Sequence, residues 1–124
     1  MSIKRNNYSE IGEPVGPYVH SVRHGDTLYL SGLTAFGSAA QKEGIAAQAK
    51  EVFRQISVIA QAEGSSLANI LKVTIFVTDP NQLHELRDTL FEIYGKNIPA
   101  SSLVFVAGLF SPDLALEAEA IIAL

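Results

Sequence analysis

Alternating apolar and polar residues mark five strand-like segments along the chain. They are residues 18–22, 27–31, 70–78, 102–106 and 114–122, and residues 70–78 (ILKVTIFVT) give the clearest pattern. The first two segments are separated by His24-Gly25-Asp26, which fits a hairpin turn. The pattern therefore predicts a β-hairpin followed by three further strands.

Helical spacing appears in two other segments. Apolar positions recur every three or four residues from Ile45 to Glu63, and Gly64 fits the left-handed residue that closes a helix. A second helix is predicted after Asp79, a natural N-cap, with Pro80 at its first position and Gln82 able to complete a capping box. The resulting order is β-β-α-β-α-β-β, which predicts an α+β fold with a mixed sheet and both helices on one face.

The apolar residues of the strands exceed what two helices can cover. Two helices of this length cover one face of a single sheet, and residues 70–78 carry apolar side chains on both sides. Phe76, Leu103 and Phe105, taken to share the uncovered face, would form an exposed apolar patch, and such patches usually mark an interface. We therefore expect an oligomer, most simply a closed ring, with a dimer as the alternative.

Length and charge narrow the possible functions. The 124 residues fit a single domain over residues 1–124, and the 13 acidic against 9 basic residues give a net charge of −4. No cluster of basic residues follows Lys4-Arg5, so the sequence predicts no nucleic-acid partner. The chain has no cysteine, which excludes disulfides and thiolate sites.

The sequence contains no signal for a membrane, a metal or a cofactor. Residues 1–14 lack the apolar run of a signal peptide, and no window approaches roughly 18 consecutive apolar residues, which predicts a cytoplasmic protein without a membrane partner. His20, His24 and His84 lack the close spacing of metal ligands. None of the glycines forms a motif that would cradle phosphate, so no cofactor is expected.

Four stretches, in order and over nearly the whole chain, carry a family resemblance. They are Gly16-Pro17-Tyr18, LYLSG at 28–32, GSSL at 64–67 running into KVTIFVTD at 72–79, and EAEA at 117–120. Together they resemble the Rid family (YjgF/RidA, reactive-intermediate deaminases). The resemblance implies a chorismate-mutase-like fold with a six-stranded sheet and a homotrimer with clefts between subunits. It also implies hydrolysis of imines and enamines to a carbonyl compound and ammonia.

The resemblance assigns catalytic and ligand-binding residues. Tyr18 and Glu119 match the family's catalytic tyrosine and glutamate, and Ser31 and Gly32 match its Ser-Gly stretch. The resemblance implies that Tyr18 orients a ligand; the alternative is that its ring packs at an interface. The resemblance also implies that Glu119 orients a water molecule; the alternative is that Glu119 is a solvated carboxylate at the edge of a strand. Ser31 is expected to be a hydrogen-bonding residue rather than a nucleophile, because no histidine or lysine is placed to activate it.

Several departures from the family predict a more apolar cleft. The family's Pro-Ala-Arg-Ser reads PASS at residues 99–102, so Ser101 replaces the arginine that clamps the substrate carboxylate. Leu33 replaces a glutamine, and Phe105 takes a position that is often acidic. Arg87 takes the place of an asparagine on the second helix, where it is either a displaced cation for the ligand or a solvated helix arginine.

Two classes of function remain open. The first is deamination of reactive imines or enamines in an intersubunit cleft, and the second is a non-catalytic trimeric protein that binds a ligand or partner and lost the chemistry with the arginine. In both, the expected ligand is a small molecule less charged than a typical imino acid. Endoribonuclease activity, also attached to the family, is disfavoured by the acidic charge and the lack of an acid–base histidine pair.

Overall fold

The computed structural model describes residues 2–124, which form a six-stranded sheet and two α-helices. The strands are β1 (Ile3–Asn6), β2 (Ser21–His24), β3 (Thr27–Leu30), β4 (Ile70–Val77), β5 (Ala100–Phe105) and β6 (Leu116–Ala123). The helices are α1 (Ile45–Ala62) and α2 (Leu83–Tyr94). Among these described helices, none is long and apolar enough to cross a bilayer.

The strands form a mixed sheet in the order β1-β2-β3-β6-β4-β5. β4 and β5 are parallel, and every other neighbouring pair is antiparallel. Both helices pack on one face, which confirms the predicted α+β class. The predicted order lacked β1, because its residues, IKRN, are mostly polar and exposed and so show no apolar alternation. β1 is held instead by backbone pairing with β2.

The helix ends agree with the sequence pattern in one helix and differ in the other. α1 ends at Ala62, and Gly64 has a φ of +80°, as predicted for the residue that closes the helix. Asp79 instead caps a short 3-10 turn over Pro80–Gln82, where its carboxylate accepts the Asn81 amide at 2.9 Å. α2 therefore begins only at Leu83, and the capping box predicted at Gln82 is wrong because no side chain caps this helix.

The core lies between the helices and one face of the central strands. On β4, Val73, Ile75 and Val77 are fully buried, and they pack against Val52 and Ile56 of α1 in one cluster. β6 alternates in the predicted way, with Leu116, Ala118, Ala120 and Ile122 all buried. Burial of each large aliphatic side chain contributes roughly 1.5–3 kcal/mol, so this face accounts for much of the stability.

The opposite face of the sheet carries no helix; we call it the open face and define it by Thr74, Phe76, Val104, Glu117 and Glu119. The parallel register places Phe76 beside Val104, and Ile75 beside Leu103. The expectation that Leu103 and Phe105 share this face with Phe76 is therefore wrong. Leu103 packs against the core, and Phe105, in register with Val77, lies on the helix side and is 47% exposed.

Candidate functional site

A cleft of about 390 Å³ opens where β3 ends and β6 begins. Five segments form its wall: the N-terminal loop, the segment before β2, the segment after β3, the loop before β6, and the first residues of β6. The residues lining it are Ile11, Glu13, Val15, Tyr18, His20, Ser31, Gly32, Leu33, Thr34, Phe36, Phe110 and Glu117. These five segments thus meet at one end of the sheet.

Hydrogen bonds fix the backbone of the Ser31–Gly32–Leu33 turn. The Ser31 amide donates to the His20 carbonyl at 3.1 Å, and the Ser31 hydroxyl donates to the Val19 carbonyl at 2.6 Å. Leu33 and Ala118 exchange two backbone hydrogen bonds of 2.8 and 3.1 Å. The hydroxyl of Ser31 is therefore committed to positioning two chain segments, as expected for a hydrogen-bonding rather than a nucleophilic serine.

The side chain of Glu117 lies directly over Gly32. A Cβ atom added at Gly32 would approach the Glu117 carboxyl carbon to 2.8 Å, which is closer than real Cβ contacts allow. Glycine at this position therefore leaves the space that the carboxyl group occupies. Burial raises the pKa of the Glu117 carboxyl above its usual value, and the nearby Glu119 carboxylate raises it further. The cleft thus holds a carboxyl group that retains its proton to a higher pH than usual.

Tyr18 forms a partly exposed section of the cleft wall. It is 42% exposed, and its hydroxyl oxygen accepts the Val15 amide at 3.3 Å. The hydroxyl proton is not used by that contact, because an acceptor oxygen retains its own donor. Tyr18 is consequently able to donate a hydrogen bond to a molecule in the cleft.

His20 is the most deeply buried polar residue of the cleft wall, with 4% of its surface exposed. Its Nδ1 atom accepts the Tyr8 amide at 3.0 Å, so the neutral ring carries its proton on Nε2. Burial lowers the pKa of His20, and the Glu13 carboxylate partly opposes that effect. His20 is therefore a neutral ring in the ordinary working range, held in one tautomer.

Two aromatic rings stand at the cleft entrance. Phe36 and Phe110 pack with ring centroids 4.9 Å apart and ring planes tilted by 59°, yet both are more than 40% exposed. The charged side chains of the wall are Glu13 and Glu117, and no lysine or arginine lies among the residues that line it. The cleft is consequently apolar at its entrance and acidic rather than cationic.

The structure brings together half of the residues predicted for the site. Tyr18, Ser31, Gly32 and Leu33 line the cleft. The other predicted residues lie outside it within one chain: Glu119, Ser101, Phe105 and Arg87.

Each of the outlying residues has a definite place. Glu119 is exposed on the open face opposite Thr74. Ser101 is in register with the core residue Val73, on the helix side of the edge strand β5. Arg87 is exposed on α2. β4 lies between β5 and β6 in the sheet, so Ser101 and Phe105 on β5 are two strands away from Glu117.

Sequence reasoning missed several residues of the cleft. Glu117 belongs to the same EAEA motif as Glu119 and faces the same side of β6, so strand alternation made it an equal candidate. His20 carried a usable signal in its two-residue spacing from Tyr18. Phe36 and Phe110 gave no signal in the sequence, because they lie in two loops that are brought into contact only by the fold.

The chain is similar to characterised and solved proteins over most of its length. A family model described as Endoribonuclease L-PSP matches residues 9–124. A RutC family protein of Pyrococcus horikoshii is 30% identical over 112 residues, which cover 88% of each chain. A 2-iminobutanoate/2-iminopropanoate deaminase of Salmonella typhimurium is 33% identical over 112 residues, covering 86% of this chain and 87% of the relative.

The fold is likewise shared. A crystal structure of a YjgF/YER057c/UK114 family member from Mycobacterium tuberculosis superposes with a TM-score of 0.84 at 29% identity, covering 99% of this chain and 100% of that one. The four motifs, the sheet order and the position of the Ser31–Gly32 turn therefore have one explanation, confirmed by the family match over residues 9–124: the chain belongs to the Endoribonuclease L-PSP family, the group of YjgF, RidA and RutC proteins.

Proposed function

We propose that this protein is a cytoplasmic homotrimer that hydrolyses reactive imines or enamines to a carbonyl compound and ammonia, in a cleft completed by a neighbouring subunit. The observation that carries the proposal is the partly buried Glu117 carboxyl held against the Ser31–Gly32 turn. Its raised pKa is the kind of perturbation that accompanies acid–base sites. The deaminase relative of Salmonella typhimurium supplies the class of reaction.

The reaction requires little beyond orientation and proton transfer. Water adds to the C=N carbon to give a carbinolamine, and expulsion of ammonia then leaves the carbonyl compound. Glu119 orients the attacking water, while Tyr18 donates a hydrogen bond that positions the substrate. Glu117, two residues from Glu119 on the same face of β6, supplies a proton to the departing nitrogen.

The open face supports the trimeric part of the proposal. Tyr29 and Val104 on this face are each more than 40% exposed, and Phe76 lies beside Val104. A second copy placed there would bury this apolar surface. We place Ser101 and Phe105, on the edge strand β5, at the cleft of a neighbouring subunit, and Arg87, exposed on α2, in solvent.

The test measures the decay of freshly generated imines with semicarbazide trapping. An amino-acid oxidase generates the imines from a panel of amino acids, and decay is followed with wild-type protein, Glu119→Ala and Glu117→Gln. Wild-type protein should accelerate decay, and Glu119→Ala should reduce the rate constant at least 100-fold while the trimer stays intact by light scattering. Full activity of Glu119→Ala would remove that residue from the mechanism, and no acceleration by wild-type protein would contradict the deaminase proposal.

A second candidate is a trimeric ligand-binding protein without catalysis. The observation that favours it is the serine at position 101 together with the absence of lysine and arginine among the cleft-lining residues. A hydroxyl group does not replace a bidentate guanidinium. On this alternative, wild-type protein is inactive and Ser101→Arg restores turnover of imino acids; well-folded Ser101→Arg trimers without activity would show that loss of the arginine is not the reason.

A further inference from the structure

The cleft differs from one shaped for an imino acid, and its own residues point to another ligand class. We infer that it binds imines and carbonyl compounds that lack a carboxylate and carry an aromatic or bulky apolar substituent. The inference rests on the proposed function for its chemistry, because the imine is the substrate and the carbonyl compound the product. The binding preference is a separate property of the wall.

Charge is the first reason. Glu13 and Glu117 are the acidic side chains of the wall, and the residues lining the cleft include no lysine or arginine. A substrate carboxylate would lose water on entering and meet a like charge without a cation to compensate. A neutral imine meets no such penalty, and a protonated imine is attracted to the same two groups.

His20 gives an independent reason. Its ring is 4% exposed, lines the cleft, and uses Nδ1 to accept the Tyr8 amide. The hydrogen bonds of residues 2–124 include none to its Nε2 atom. This N–H group is able to donate to a molecule in the cleft, and an imine nitrogen or a carbonyl oxygen accepts such a bond without bringing a charge.

The aromatic entrance defines the substituent. Phe36 and Phe110 remain about half exposed although they pack against each other, and Val15 at the same cleft is 68% exposed. An aromatic or branched group placed between them would remove this apolar surface from water, which is favourable in proportion to the area buried. A methyl or ethyl substituent would leave most of it exposed.

The chemistry of such a substrate balances without another reactant. Water forms a C–O bond with the carbon of the protonated imine and gives a proton to the Glu117 carboxylate. Glu117 passes this proton to the nitrogen, the C–N bond breaks and ammonia leaves; the hydroxyl proton moves to Glu117 as the C=O bond forms and is then released to water. His20 Nε2–H donates a hydrogen bond to the oxygen as the carbonyl forms. No oxidation or reduction occurs, since the carbon has the same oxidation state in the imine and the carbonyl compound.

Three matched probes test the binding preference on the assembled protein, so any residue brought by a neighbouring subunit is counted. Acetophenone is a neutral acceptor, benzylamine is a cation and phenylacetate is an anion of similar size. Titration by NMR should give at least tenfold tighter binding of acetophenone and benzylamine than of phenylacetate. Tightest binding of phenylacetate would overturn the inference.

Two variants locate the preference in the cleft. Glu117→Gln should reduce the discrimination against phenylacetate about tenfold, while Glu43→Gln, which removes an exposed carboxylate outside the cleft, should leave it unchanged. His20→Phe should weaken acetophenone more than benzylamine, because only acetophenone uses the Nε2–H donor. Equal effects of Glu117→Gln and Glu43→Gln would overturn the assignment to this cleft.

Turnover separates this inference from the proposed function. Imines are generated from 2-phenylethylamine by a flavin amine oxidase and from phenylalanine by an amino-acid oxidase. At least tenfold greater acceleration for the amine-derived imine supports the inference. Greater acceleration for the phenylalanine-derived imine overturns it and leaves the deaminase proposal standing. If neither imine decays faster, the deaminase proposal fails, and the order of probe affinities alone decides the ligand class.

Discussion

The two faces of the sheet carry residues of the same strands but differ in burial and in the contacts that they can make. On the helix-covered face of β4, Val73, Ile75 and Val77 are completely buried, whereas their neighbours Thr74 and Phe76 on the open face are only partly covered. Alternation along the strand therefore assigns one set of side chains to the core and leaves the other set available for contacts with a ligand or another chain.

The open face also carries the polar groups that a core would not tolerate. Glu117 and Glu119 lie in register with Phe76 and Thr74, and the Lys72 ammonium donates to the Ser102 hydroxyl at 2.7 Å. Because these groups contribute little packing, they are free to vary with function, while the buried face is constrained by volume. Substitutions on the two faces should therefore differ in size and in kind.

The largest effect is expected for truncation on the buried face. Ile75→Ala should lower the free energy of unfolding by about 2–5 kcal/mol, because it removes three carbon atoms from a fully enclosed site. Thr74→Ala, one residue away on the open face, should change it by less than about 1 kcal/mol. Denaturant unfolding at fixed protein concentration measures both. Equal losses would contradict the assignment of the two faces.

A smaller loss is expected where the N-terminal segment joins the buried side. The Tyr8 hydroxyl donates to Glu63 at 2.8 Å at the end of α1 and accepts the Ser21 hydroxyl at 2.6 Å, and burial is the main reason that its pKa rises to about 12. Tyr8→Phe should therefore cost about 1–2 kcal/mol in unfolding free energy, because both partners lose a largely buried hydrogen bond. Glu43→Gln, which changes an exposed polar side chain, is the control and should be neutral.

The buried face was largely predictable from sequence, because it depends on local periodicity. The alternation of β6, the span of α1 and the closing role of Gly64 all follow from spacing within a single segment. β1 was missed because a polar edge strand has no apolar side to detect. The side of the sheet on which Leu103 and Phe105 lie was predicted wrongly. It depends on the register between β4 and β5, which the pattern of neither strand reveals.

The cleft was predictable only in part, for a related reason. Tyr18, Ser31, Gly32 and Leu33 were found through motifs, and the fold brings them together. The environment of Glu117 depends on how β6 meets the turn after β3, far away in sequence. The tautomer of His20 depends on an amide twelve residues earlier. Such properties arise from long-range contacts, so composition and spacing do not reveal them.

A gain in stability is expected for one substitution at the cleft. The raised pKa of Glu117 means that its protonated form is favoured by the fold, so its contribution is fully present below the ordinary value of 4.5 and is lost as pH rises through the raised pKa. At pH 7, Glu117→Gln should therefore increase the unfolding free energy by about 0.5–1 kcal/mol. The gain should vanish at pH 4, and Glu43→Gln should show none. A loss of stability at pH 7 would mean that the ionised carboxylate is satisfied in the cleft.

The smallest effect is expected from His20, as a change of slope with pH. Burial lowers its pKa in the folded protein, so the unfolded chain takes up the proton first as pH falls below the ordinary value of 6.5. Stability should then fall with decreasing pH, until the folded protein is protonated too, with a slope of at most about 1.36 kcal/mol per pH unit for one proton.

The variant His20→Gln keeps an acceptor for the Tyr8 amide but does not titrate, so it isolates this contribution. Denaturant unfolding at pH 7.5 and 5.5 should show a smaller difference for His20→Gln than for wild-type protein, and exposed His24→Gln should behave as wild type. Any bound carbonyl probe that accepts from Nε2 should reduce the difference, because the imidazolium is a stronger donor than the neutral ring and the probe therefore favours protonation. A probe that left the slope unchanged would show that Nε2 does not face the ligand. His20 would then have no part in the chemistry of the cleft.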